Sequence, residues 1–132
     1  MMRNESFNRA VTQLLEKETR FPRAAYHLLP LVLDATVRTL RGQRDEDSAP
    51  VHVNGKQLAE GFRDYMLAEY GPFASGILET MRIRSTEDIG TIVYLLISVG
   101  VFGKTESDSR DDFHAVYDFN ETFVTPYKAV HE

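Results

Sequence analysis

"STEDIGTIVYLLISVG", residues 85–100, decides the fold of this chain. Ser85 is a natural helix N-cap with Asp88 at the third position, and Glu87 and Asp88 put negative charge at the positive helix end. From Ile89 to Val99 the segment is apolar nearly all round, which no surface helix tolerates, so it reads as a central, buried helix. Gly100 closes it as a left-handed cap.

Just beyond lies "SVGVFGKT", residues 98–105, ending in the Gly-Lys-Thr of a phosphate-binding loop. Such a loop needs G-x-x-x-x-G-K-[ST] between a strand and a helix, so that backbone amides and a helix N-terminus surround the phosphates. Ser98 stands where the first glycine belongs, and a helix enters where a strand should. Nucleotide binding is therefore not expected, and Gly103, Lys104 and Thr105 read as the start of a turn into the acidic stretch "ESDSRDD". The alternation in "FHAVYDF", residues 113–119, suggests a returning strand, giving a C-terminal β-hairpin of Val101 to Thr105 against Ala115 to Phe119.

Upstream, Phe7, Ala10, Val11, Leu14 and Leu15 make one apolar stripe on a first helix from about Ser6 to Thr19. Pro22 suits the start of a second, with Ala25, Leu28, Leu29, Val32, Leu33, Thr36, Val37 and Leu40 on its inner face, and Pro30 is expected to bend it by removing one backbone donor. Residues 41–50, "RGQRDEDSAP", carry no periodic apolar content and read as a mobile loop, and residues 124–132 as a loose tail. Val51 to Val53 suggest a short strand. Asn54 with Gln57 forms a capping box opening a helix to about Tyr70, with Leu58, Phe62, Tyr65 and Met66 inward. Gly71-Pro72 stops that helix and restarts a short one through Phe73, Ile77, Leu78 and Met81.

The chain of 132 residues is expected to form a single domain spanning 1–132. It has no cysteine, which excludes disulfides, thiolate metal sites and thiol nucleophiles and fits a reducing compartment. No stretch has signal-peptide or membrane-spanning character, so a cytoplasmic location is expected, with no membrane partner. The net charge of -5 is uneven: residues 1–44 hold eight Lys/Arg against four Asp/Glu, and the remainder seven against sixteen. That asymmetry serves to dock helices or subunits as well as to meet a polyanion.

Glu106, Asp108, Asp111 and Asp112 are oxygen donors, but without the spacing of a calcium loop. Their more economical role is local, with Asp108 or Ser109 capping one helical turn that sets Phe113 into the core. The histidines, His27, His52, His114 and His131, lack zinc-site spacing, and no cofactor or metal ion is expected. The order of helices, short strand and hairpin allows a winged-helix nucleic-acid binder as an alternative. Its recognition helix would begin with Glu87-Asp88 and carry no Arg, Lys, Asn or Gln, which argues against nucleic acid. Arg23, Arg38, Arg41 and Arg44 would be better placed for that task. A metal-dependent enzyme built on the acidic cluster comes third.

"RSTEDIGTIVYLLISVGVFGKTESDSRDDFHAVYDF" together with "VNGKQLAEGFRDYMLAEYGPFASGIL" resembles a family of small conserved hypothetical proteins of unknown function, mainly from planctomycetes and verrucomicrobia. The resemblance spans about Phe21 to Phe123 and rests on Gly71-Pro72-Phe73, Arg84 to Asp88, Lys104-Thr105, Asp108-Ser109, Asp112-Phe113 and Tyr117-Asp118-Phe119. It implies a bacterial cytoplasmic protein and supplies no activity or catalytic residue. The expectation is a mainly α, multi-helix domain with a small C-terminal β-hairpin, serving as a non-catalytic protein interaction or regulatory module. Its partner would be another protein or a second copy of itself. Arg82, Arg84, Ser85, Lys104, Asp108 and Asp112 are the candidate interaction residues. Arg84 is expected to pair with Glu87 or with the acidic loop, and Thr86 to lie outside the cap.

Overall fold

The computed structural model describes residues 4–43 and 51–128. These form α1 (Asn4–Lys17), α2 (Arg23–Gly42), α3 (Gly55–Tyr70), α4 (Ala74–Thr80) and α5 (Thr86–Ser98). Short 3-10 turns cover Gly71–Phe73, Arg110–Phe113 and Thr125–Tyr127, and a π-helical turn covers Asn120–Val124. The chain is mainly helical, and none of its described helices is long and apolar enough to cross a membrane.

The helix faces follow the apolar periodicity. Val11, Leu14, Ala25, Leu29, Val32, Phe62, Met66, Ile89, Ile92 and Leu96 are all buried in one cluster, with α5 contributing from its centre. Asn54 opens α3 with a reciprocal box: its side chain accepts the Gln57 N–H at 2.8 Å, and Gln57 Oε1 accepts the Asn54 N–H at 3.0 Å. The helix α2 continues through Pro30. Its crossing with α3 is close enough that a Cβ on Gly61 would collide with the Thr36 hydroxyl. That hydroxyl is buried and donates back to Val32 O at 2.7 Å.

Both ends of the α4–α5 region close in the same way. At the end of α5 the Gly100 N–H bonds to Ile97 O and the Val101 N–H to Leu96 O, with Gly100 at φ 82°, the paired bonds of a Schellman ending. At the end of α4 the Arg82 N–H bonds to Glu79 O and the Ile83 N–H to Leu78 O, yet here the left-handed position, φ 61°, is held by arginine. Ile83 and Leu78 are buried together beneath it, supplying the apolar contact that accompanies this motif.

The sequence reading fails at the hairpin. No strand forms among the described residues, neither at Val51 to Val53 nor between Val101 to Thr105 and Ala115 to Phe119, so a winged-helix order loses its wing. Local side-chain bonds won over ladder pairing. Asp108 Oδ2 accepts the Thr105 N–H at 2.8 Å, and Ser109 and Asp112 cap Arg110–Phe113 reciprocally. The aromatics that looked like one strand face instead form a cluster, in which Tyr117 and Phe119 stack at 5.9 Å and Phe119 meets Phe123 edge-on at 5.0 Å. Phe73 is 74% exposed, because the 3-10 turn Gly71–Phe73 keeps it out of the α4 stripe. Of the expected mobile loop, Arg41 and Gly42 end α2, while residues 44–50, with Arg44, lie outside the described residues. Thr125–Tyr127 form a turn where a loose tail was expected, and residues 129–132, with His131, lie outside the described residues.

Candidate functional site

Phe113 organises the region that matters. Its ring is wedged between two glycines: a Cβ on Gly90 of α5 would lie 2.8 Å from Phe113 Cγ, and one on Gly55 of α3 would lie 3.0 Å from Phe113 Cε2 and 2.6 Å from Asp112 Cβ. Real side chains do not approach that closely, so the Arg110–Phe113 turn can dock against both helices only because both positions lack a side chain. The sequence reading that Ser109 caps a turn setting Phe113 into the core holds, with Phe113 3% exposed.

Between this turn, the start of α3 and the face of α5 lies a cleft of about 220 Å³. Leu33, Leu58, Val93, Ile97 and Phe113 supply its floor, Val53 and Phe102 its sides, and Tyr94, Lys104, Asp108 and Asp112 its rim. Ile97 and Tyr94 stay half-exposed, so the surplus of apolar residues around α5 is turned toward an open cleft rather than into the core.

The rim carries both signs of charge. Lys104 Nζ stands 5.6 Å from the centroid of the Tyr94 ring and makes no ion pair among the described residues. Asp108 is committed on both oxygens, Oδ2 to the Thr105 N–H and Oδ1 to His52 Nε2 at 3.3 Å. The Thr105 N–H bond, with His52 behind it, holds the Asp108 carboxyl below its ordinary range against the opposing effect of burial. Asp112 gives Oδ2 to the Ser109 N–H at 3.0 Å, and its other oxygen meets no protein donor among the described residues. Burial, then the charges of Asp108 and Asp112, push the Tyr94 hydroxyl up against the opposing charge of Arg110.

Lys104, Asp108 and Asp112 are thus brought together, while Arg82, Arg84 and Ser85 are not among the groups lining the cleft. Those three form a structural corner at the start of α5. Ser85 Oγ accepts the Asp88 N–H at 3.2 Å, as its N-cap role requires. Asp88 does not return the bond to Ser85; its Oδ2 accepts the Arg84 N–H at 2.8 Å, and its Oδ1 pairs with Arg20. Arg84 therefore joins the corner through its backbone, and its side chain pairs with neither Glu87 nor the acidic loop. Arg82 Nη1 donates to Thr19 O at 3.0 Å and to Arg20 O at 3.3 Å, tying the α1–α2 connection to the end of α4.

Thr86 lies outside the cap, as expected, but it joins distant segments. It is buried, and its hydroxyl donates to Phe113 O at 2.7 Å while accepting the Val116 N–H at 3.2 Å. Glu87 extends the same joint, its Oε2 accepting the Ala115 N–H at 3.0 Å beside His114 Nδ1 at 3.1 Å. Burial opposes charge on Glu87, but its own and Ala115's N–H groups together with His114 outweigh it and hold the carboxyl below its ordinary value.

Of the basic residues weighed for a polyanion, Arg23 donates to Thr12 Oγ1 at 2.6 Å and Arg38 pairs with Asp34 at 3.5 Å, both on the surface. Among the described residues no group of three or more His, Asp or Glu side chains is placed to hold a metal ion. Sequence reasoning missed Tyr94, Ile97 and Gly55 as site residues. The signal was the same all-round apolarity of α5 that fixed the fold, since more apolar side chains than one core needs must face something else. No family model, curated protein or solved structure matches the chain.

Proposed function

We propose that the chain is a non-catalytic interaction or regulatory module of the bacterial cytoplasm, engaging a protein partner or a second copy of itself, with the cleft along α5 as its recognition site. Membership of the planctomycete and verrucomicrobial family is proposed with it, on the residues quoted above. The observation that carries this reading is the use made of the groups in the cleft. Its floor is apolar and partly open, while its acids serve the backbone: Asp108 holds Thr105 and Asp112 holds Ser109. Binding sites are of this kind, mostly apolar with a few oriented polar groups. A general acid has a proton to give near neutral pH, whereas Asp108 is stabilised as the carboxylate by its N–H donor.

The test compares capture from the native cell by the wild-type chain, Ile97→Asp and Arg84→Ala, each checked for folding by circular dichroism. Ile97→Asp should abolish capture of a partner that Arg84→Ala retains. Phe102→Asp, at the side of the cleft, repeats the test if Ile97→Asp fails to fold. Equal capture by all folded variants would overturn the cleft as recognition site.

A further inference from the structure

Resting on the reading of the cleft as a binding site, we infer that a small zwitterion with an apolar body, of the class of the free branched-chain or aromatic α-amino acids, also enters it and competes there with the partner. Three features of the cleft select that chemistry.

Size comes first. The volume, about 220 Å³, exceeds the roughly 150 Å³ that admits benzene. It falls short of the roughly 300 Å³ at which pockets for drug-sized ligands begin. A single ring or branched alkyl group with a few polar atoms fills it.

The floor selects the body of that molecule. Leu58, Val93, Ile97 and Phe113 offer no donor or acceptor side chain, so whatever reaches them must be apolar or lose hydrogen bonds to water.

The rim selects its head. Lys104 presents an ammonium over the Tyr94 ring, and Asp112 presents an oxygen that no protein donor occupies among the described residues. A simple carboxylic acid would answer Lys104 but would stand beside the carboxylates of Asp108 and Asp112. An amine without a carboxylate would answer Asp112 and meet the ammonium of Lys104. A hydrocarbon would cover both charges and satisfy neither. Only a molecule carrying both charges next to an apolar group satisfies all three surfaces, and three unlike contacts on one carbon distinguish its mirror image.

Isothermal titration calorimetry on the whole chain tests this with L-leucine and L-phenylalanine as probes. The controls are D-phenylalanine, phenethylamine, 3-phenylpropionate and N-acetyl-L-phenylalanine amide. At least one L-amino acid should bind saturably, and removal of either charge should weaken binding about tenfold or more, the weight of a charge-assisted hydrogen bond. Lys104→Met keeps the aliphatic stem and Asp112→Asn keeps an acceptor for the Ser109 N–H. Each should weaken binding by a similar factor with the far-ultraviolet spectrum unchanged.

Binding of the acetyl amide or of the simple acid as tight as that of the amino acid would overturn the inference. So would the absence of any heat or NMR shift with every probe at millimolar concentration. If no amino acid binds while Ile97→Asp still abolishes partner capture, the zwitterion is wrong and the cleft as recognition site stands.

Discussion

The corner at Arg82 to Asp88 and the cleft beside Lys104 to Asp112 look alike in sequence, each a short run of charged and hydroxyl residues next to a helix end. In the fold they are opposites. At the corner Ser85 Oγ, both hydrogen-bonding roles of the Thr86 hydroxyl and both Asp88 oxygens are taken by protein partners. At the cleft Lys104 and Asp112 line an apolar hollow, the ammonium without an ion pair and one carboxylate oxygen without a protein donor among the described residues. Polar residues that complete one another are fold joints. Polar residues left facing a cavity are available to something else.

The comparison breaks most forcefully at Phe113, which both regions share. Phe113→Ala should destabilise the chain by about 3–5 kcal/mol in denaturant titration, since it empties the wedge between two helices. A loss below about 1 kcal/mol would mean the turn does not depend on that ring and the cleft wall is not built as described.

Within the corner, Thr86 and Ser85 separate a long-range joint from a local cap. Thr86→Val keeps the shape but strands the Phe113 carbonyl and the Val116 N–H, costing about 1–3 kcal/mol. Ser85→Ala removes a cap at an accessible helix end, where water can replace the lost bond. It should fall in the lower part of the range of about 0.5–2 kcal/mol. The thermal melts should therefore rank Thr86→Val below Ser85→Ala, and the reverse order would make the corner a simple helix cap.

The smallest effect belongs to the cleft. Asp108 has its carboxyl held below the ordinary range in the folded chain, so in acid the unfolded chain takes up its proton first. Its contribution is complete above the usual carboxylate range, around pH 4, and is lost as pH falls through the lower folded value. Asp108→Asn should lower stability at pH 7 by under about 1 kcal/mol. The deficit should shrink as pH is taken below about 4. A deficit that grows in acid would reverse the sign and assign Asp108 a protonated role.

Much of this was legible because it is local. The Ser85 cap, the Asn54-Gln57 box, the Ser109 turn and the Gly100 ending all depend on residues within six positions of one another, and each formed as its sequence indicated, although Asp88 turned to Arg84 N–H and Arg20 instead of completing a box with Ser85. The role of Thr86 was not legible, because its partner lies 27 residues away in a segment whose alternation suggested a strand. The Arg20–Asp88 pair, 68 residues apart, was hidden for the same reason. At Lys104, Asp108 and Asp112 sequence found the polar half of the site. The apolar half needed the fold, since only the docking of Phe113 decides which face of α5 stays uncovered.

The glycines that grip Phe113 carry a consequence for the chain's history. Position 90 can accept a side chain only if position 113 gives up its ring at nearly the same time, and position 55 only if the turn draws back at Asp112, because a Cβ there would lie 2.6 Å from Asp112 Cβ and crowd the ring as well. Those three positions therefore drift as a unit. A descendant that has lost one of the glycines while keeping the phenylalanine must have moved the whole Arg110–Phe113 turn away from α3 or α5, and with it the mouth through which anything enters.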